Sequence, residues 1–200
     1  MLARFKKSAR MLKDPRTLAV TGVLMALYIV LGLFRIQLTQ QLRLSISFVA
    51  GASIAMLFGP AVAVPAAAAC DVLTLLVNPS GAYFWGFTVT AIVNALVYSS
   101  LLFDRRAPMH DRERTMGHGR AFFDRGDRNL FFRALISRGV IDLLCNTFLN
   151  TLWLSMLYGD SMGALLPARA VKNAALFIPE AIVLFFALKA VNLAWRQIRR

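Results

Sequence analysis

The sequence predicts an all-α integral membrane protein of six transmembrane helices, with the N and C termini both cytoplasmic, and three observations predict it. Of its 200 residues 58% are hydrophobic, against roughly 45–50% in a soluble domain. The apolar residues are gathered into six runs, all but one of them close to or above the roughly 20 residues that carry a helix across a bilayer. The cations, which give a formal net charge of +13, lie in blocks between those runs, the pattern that marks cytoplasmic loops. A charge of that size also raises nucleic-acid binding. That chemistry needs cations and aromatics sharing one solvated face, which the clustering here does not provide, so nucleic acid is set aside as a partner.

Residues 1–16 form a basic tail carrying Arg4, Lys6, Lys7, Arg10, Lys13 and Arg16. The first run, Thr17 to Gln37, is long enough to span, so it reads as a retained helix and not as a cleaved signal peptide. The second, Ile46 to Phe58, is short, and Phe58-Gly59-Pro60 separates it from the third, Ala61 to Val77. Gly-Pro is a strong helix stop. The fourth runs from Trp85 to Phe103, the fifth from Leu130 to Leu157 and the sixth from Ala168 to Val191. The membrane domain is thus 17–191, followed by a basic tail, 192–200, with Arg196, Arg199 and Arg200. Fusing the second and third runs would put the loop 104–129, which holds seven arginines from Arg105 to Arg128, on the opposite side from the basic N terminus. The positive-inside rule therefore selects six spans. The loop mixes both signs with few aliphatic residues and cannot bury enough apolar surface to fold alone. It reads as a solvated connector that sets orientation, with anionic lipid head groups or a partner protein as a second reading.

Polar residues at membrane depth are costly and mark candidate sites. In the fifth run Arg138, Asp142, Asn146, Asn150 and Trp153 recur at steps of four, four, four and three, which stacks them on one helical face. Arg138 and Asp142 can neutralise each other at i and i+4. Asn150 and Trp153 join an amide to a flat aromatic near the outer end, where Trp153 can also serve as an interfacial anchor. The sixth run adds Arg169, Lys172, Asn173 and Glu180, the third Asp71 and the fourth Asn94. At about 1.5 Å per residue, Asp71 lies roughly 9 Å below Val77 and Asn150 roughly 10 Å below Leu157, so both can share a cavity floor. Pairing of Asp71 with Asn94 or a backbone group is the alternative. Between the third and fourth runs, the turn-rich segment 78–86, with Tyr83, Phe84 and Trp85, is either a cap that stacks on a flat ligand or part of the interfacial aromatic belt. Arg35 and Arg43 flank the first outer loop, placed to attract an anion or to reach lipid phosphates. Gly22 and Ala26 give the first helix a small-x-x-x-small face for close helix approach. Cys70 and Cys145 read as small buried residues, His110 and His118 as solvated loop residues, and no metal-ligand spacing links them.

Taken together, Leu24-Met-Ala-Leu-Tyr-Ile-Val-Leu-Gly32, Met56-Leu-Phe-Gly-Pro60, Ser80-Gly-Ala-Tyr-Phe-Trp-Gly-Phe-Thr88, Asn150-Thr-Leu-Trp-Leu-Ser155 and Leu166-Pro-Ala-Arg-Ala-Val-Lys-Asn173, followed by Pro179-Glu180, resemble the substrate-binding (S) subunits of energy-coupling factor vitamin importers, and among them the folate family. The likeness runs from Leu18 to Leu188. It implies a six-helix subunit of the bacterial plasma membrane that captures a vitamin from outside and works with a transmembrane scaffold subunit and two cytoplasmic ATPases. It implies no cofactor, and ATP hydrolysis in the partners; no G-x-x-x-x-G-K-[ST] phosphate loop stands in this chain. Gly22 and Ala26 would meet the scaffold. Asn150 and Trp153 would contact the pterin and aminobenzoyl rings of a folate, with Arg35 a further counterpart. Tyr83 or Phe84 offers another flat face, Asp71 an acceptor for pterin N–H groups, and Arg169 or Lys172 a partner for the anionic glutamate tail. Thiamine and riboflavin are the other flat vitamins such a site would suit. An intramembrane enzyme is the reading from a different class, but Asp71, Asp142 and Glu180 lie on three separate runs with no catalytic motif joining them.

Overall fold

The computed structural model of the chain describes residues 2–34, 36–37, 43–78, 84–103, 125–159 and 162–198. Arg35, Tyr83 and the loop stretch 104–124 lie outside the described residues, and of Arg43 only the backbone is described.

Helices dominate because apolar backbone in lipid must satisfy its own N–H and C=O groups. Helix α1 (Leu2–Met11) precedes α2 (Pro15–Leu33). The Asp14 side chain caps α2, accepting from the Arg16 N–H at 3.1 Å, and Pro15 stands in the first turn, where its missing N–H costs nothing. A two-residue antiparallel ribbon follows: β1 (Ile36–Gln37) takes the end of the first run, which the sequence reads as helix to Gln37 but which stops being helical at Leu33, and it pairs with β2 (Arg43–Leu44). The short apolar helix α3 (Phe48–Phe58) stops at Gly59, whose φ of +78° suits a residue without Cβ, and Pro60 opens α4 (Pro60–Val77). The expected Gly-Pro break is therefore real. Helix α5 (Trp85–Leu102) pairs with α4. A long rod follows, made of α6 (Arg125–Ile141), a π-helical segment (Asp142–Leu149) and α7 (Asn150–Tyr158), and α8 (Met162–Ile198) closes the chain.

Among the described residues, five stretches are long and apolar enough to cross a membrane: Pro15–Leu33, Pro60–Val77, Trp85–Leu102, Asp127–Leu157 and Arg169–Trp195. Helix α3 is shorter and sits inside them, with Ala50 and every residue from Ala52 to Phe58 buried. It packs against α2, α4, α5 and α8 and forms the centre of the core. This explains its run of small and apolar residues on all sides: a helix enclosed by others has no polar face to show.

Three segments expected to be tails or loop are folded. In the basic tail 1–16, α1 docks through Ser8, fully buried, whose hydroxyl donates to the Phe58 carbonyl at 2.6 Å and accepts from the Ala61 N–H at 3.0 Å. One side chain thus satisfies groups that the α3–α4 break leaves open. The end of the loop 104–129 is helical from Arg125, and Asp127 pairs with Lys189 at 3.0 Å. In the tail 192–200 the helix continues to Ile198, and Trp195 packs edge-on against Phe58 at 5.2 Å because its ring has an apolar wall to cover.

Candidate functional site

A cavity of about 450 Å³ opens between the helices. Its walls come from the C-terminal half of α2, the N-terminal halves of α3 and α8, α4 from Ala63 to Leu75, α5 from Phe87 to Tyr98, and the rod from Arg138 to Leu157. Asn78 and Phe84, at the ends of α4 and α5, and Leu157, near the end of the rod, lie at one end of the bundle. The Gly59 turn with docked α1, and the chain end beyond Trp195, lie at the other.

The deep wall of the cavity is built on Arg138. Its Nε and Nη2 both donate to Glu180 Oε2, the first at 2.9 Å, and Nη2 also lies 3.3 Å from Asp142 Oδ1. Nη1 donates to the Tyr98 hydroxyl at 3.4 Å, and the guanidinium lies 4.1 Å from the centre of the Phe48 ring. The same-helix pair expected from the sequence is present, and Glu180 on α8 extends it into a triad. A buried cation with two carboxylates, a hydroxyl and an aromatic face is the kind of partnering that membrane burial demands.

The π segment shapes the next layer. In an α-helix the Asn150 N–H would donate to the carbonyl four residues back; here it donates five back, to Cys145. The Asn146 carbonyl is instead taken by Arg169 Nη1 at 3.1 Å, and the Thr147 hydroxyl donates to the Asp142 carbonyl at 2.7 Å and accepts from Asn173 Nδ2 at 2.9 Å. Widened turns of this kind free backbone groups for bonds to a neighbouring helix, and α8 uses them. The Asn146 side chain donates to Asp142 Oδ1 at 2.7 Å, and Asn150 donates to Asn146 Oδ1 at 3.3 Å.

Asn150, Asp71, Phe84, Arg169 and Lys172 all line the cavity, so the structure brings together these five of the residues singled out from the sequence. Asp71 and Asn150 share the cavity lining, as the depth estimate allows. Asp71 neither pairs with Asn94 nor stands alone: its Oδ2 accepts from the Thr88 hydroxyl at 2.6 Å. Asn94 lines the cavity too, with its Oδ1 buried and without a hydrogen-bond partner among the described residues. Trp153 stands differently. It is absent from the lining side chains and instead backs Phe84, ring centres 5.7 Å apart, while its Nε1 donates to the Thr90 hydroxyl at 3.0 Å. Gly22 and Ala26 are on the outer surface of α2, exposed and away from the cavity; a Cβ added at Gly22 would meet none of the described residues within 4 Å. The reading from sequence missed Tyr28, Phe48, Thr90 and Tyr98 as lining residues. A hydroxyl inside an apolar run was the available signal for three of them; Phe48 had none.

Chemically, this end of the bundle offers carboxylate and amide acceptors, an aromatic side wall, and two cationic side chains from one helix. Such a concave site, polar at chosen points and apolar between them, suits a flat, hydrogen-bonding, anionic small molecule.

Comparison with known proteins bears on what that molecule is. The family model described as "ECF transporter, substrate-specific component" matches residues 16–191. A curated folate transporter, FolT, from Clostridium novyi (strain NT) is 32% identical over 154 residues, 77% of each chain. A second, from Leuconostoc mesenteroides subsp. mesenteroides, is 30% identical over 181 residues, 88% of this chain and 85% of the relative. Among solved structures, one described as the crystal structure of FolT bound with folic acid superposes with a TM-score of 0.70 at 25% identity, covering 87% of this chain and 94% of that one. With its apolar helices and this match across nearly the whole membrane part, the chain is a multi-pass membrane protein that belongs to the substrate-specific components of the ECF transporters.

Proposed function

We propose that this chain is the S subunit that captures folate for an ECF-type importer in a bacterial plasma membrane. The observation that carries the reading is a cavity of the right chemistry in a fold shared with a folic-acid-bound relative over 94% of that relative's length. In this reading the pterin edge meets Asp71 and Asn150, whose oxygens accept from its N–H groups. Phe84, backed by Trp153 and joined by Tyr83, supplies the flat wall. Arg169 and Lys172, with Arg35 at the first outer loop, hold the glutamate carboxylates.

The remaining parts follow from the same reading. Six spans, counting α3, place the cavity outside and both termini with the loop 104–129 in the cytoplasm, supported by the cations of the tails and loop. A cysteine introduced at Arg112 is then reached by an impermeant maleimide only in opened cells, and labelling of intact cells would reverse the orientation. Release is driven by ATP hydrolysis in two cytoplasmic ATPases, joined to this chain through a transmembrane scaffold that meets the face carrying Gly22 and Ala26. The chain itself performs no catalysis.

Calorimetric titration of the detergent-purified chain with folic acid tests the substrate. Saturable binding, with a change in tryptophan fluorescence from the Trp153 and Trp85 region, is expected. A flat titration with folic acid would sink the folate assignment.

A further inference from the structure

The hydrogen bonds up the rod run in one direction, and the chemistry of their lowest member fixes that direction. Asp142 faces the guanidinium of Arg138, a group with donors only, and so meets it as an acceptor. The same oxygen, Oδ1, accepts from Asn146 Nδ2 at 2.7 Å. An amide that must turn its NH2 down to a carboxylate has its oxygen left to turn up, and Asn146 Oδ1 accepts from Asn150 Nδ2 at 3.3 Å. Asn150 in turn points one N–H of its NH2 at the rung below, which turns its carbonyl oxygen to the opposite side, toward the cavity that both amides line. Without the carboxylate, either amide could rotate by half a turn at little cost, because the two ends of an amide differ only in donor and acceptor character.

We propose that Asp142 is a positioning residue for ligand recognition: acting through Asn146, it makes Asn150 present an acceptor oxygen to the cavity, so that the part of the ligand seated there must bring an N–H donor. The inference rests on the reading that the cavity binds the ligand at Asn150. Two further acceptors on the cavity wall agree with it. Asn94 Oδ1 is buried there with no hydrogen-bond partner among the described residues, and Asp71 is a carboxylate with the Thr88 hydroxyl on one oxygen. A wall rich in acceptors selects the donor-bearing edge of a heterocycle and disfavours one that offers only ring nitrogens and carbonyls, which would leave buried acceptors unpaired.

The test is a double-mutant cycle read as folic acid affinity by calorimetry, with thermal unfolding as a check on folding. Asp142→Asn removes the one-way constraint while keeping size, and Glu180 still holds Arg138. It is expected to weaken folic acid binding about tenfold in the native background, about the worth of one misdirected hydrogen bond. In an Asn150→Ala background the same substitution is expected to cost nothing further, because the group it orients is gone. A general structural effect or a field effect of the lost charge would persist there. Equal losses in both backgrounds, or native affinity for Asp142→Asn alone, would overturn the proposal while leaving the folate site standing. Native affinity for Asn150→Ala would overturn both the placement of the ligand at Asn150 and the ladder that depends on it. Should Asp142→Asn fail to fold, Asn146→Ala interrupts the ladder while all three charges of the ion triad stay in place, at the cost of one hydrogen bond to Asp142, and is expected to show the same dependence on background.

Discussion

Arg138 shows what one side chain inside a membrane protein has to satisfy. Its guanidinium joins α6 to α5 through Tyr98, to α8 through Glu180 and to α3 through the face of Phe48, besides Asp142 one turn along its own rod. Removing it does more than delete contacts. It leaves two carboxylates in the bundle without the guanidinium that pairs them, and an orphaned buried charge costs more than the pair was worth. Arg138→Met, close in length and apolar, is therefore expected to destabilise the folded chain by about 3 kcal/mol, seen as a lower unfolding midpoint in detergent without ligand. An unchanged midpoint would show that the triad is dispensable. Half of this cluster was legible beforehand: Arg138 and Asp142 are four apart, and helical spacing alone brings them together. Glu180 was visible only as a charge at membrane depth, because no local rule connects positions 42 residues apart.

At the scale of elements, apolar runs and the Gly-Pro stop gave the helices, whereas the features that shape the cavity depend on contacts between helices. The π segment is one. Its five-residue bond from Asn150 to Cys145 is worth making because Arg169 on α8 takes the carbonyl thus released, and neither fact can be read from the segment Asp142–Leu149 by itself. Helix α1 is another: a basic, polar stretch reads as a solvated tail until the Ser8 hydroxyl finds the Gly59 turn some fifty residues on. The aromatic wall is a third, with Phe84 packed on Trp153 and its carbonyl accepting from the Phe87 N–H at 3.0 Å as α5 begins. Gly86 makes that packing possible. A Cβ there would lie 2.7 Å from Trp153 Cδ2 and against the Phe84 ring, closer than atoms can approach, and a ring has little freedom to yield. Gly86→Ala is expected to displace Phe84 and weaken folic acid binding about tenfold by calorimetry. Native affinity in that variant would mean that Phe84 does not shape the site.

Across the described residues, the cavity and the basic helix α1, docked at the Gly59 turn, are at opposite ends, and the flank of α2 faces neither. On that flank Gly22 and Ala26 are exposed beside Val23 at 68% and Leu27 at 42% exposure, a surface of small and aliphatic residues one turn apart. Exposed aliphatics by themselves are what any lipid-facing helix shows. The small pair is different, because it lets a second helix approach closely, and close packing rather than hydrophobicity is what drives helices together in lipid. The cavity is lined by Tyr28 and Gly32 of the same helix, further toward its C-terminal end, so a partner helix on this flank would touch the element that forms one cavity wall. Replacing Gly22 and Ala26 by Leu separates the two roles. None of the described residues lies within 4 Å of a Cβ added at Gly22, so the fold and folic acid affinity of the isolated subunit should stay at native values. Folate uptake by cells that also make the scaffold and ATPase subunits should fall to background, because the larger side chains hold the partner helix away. Native uptake with the double substitution would refute this flank as the partner face, whereas lost affinity in the isolated chain would mean that α2 had been disturbed from within.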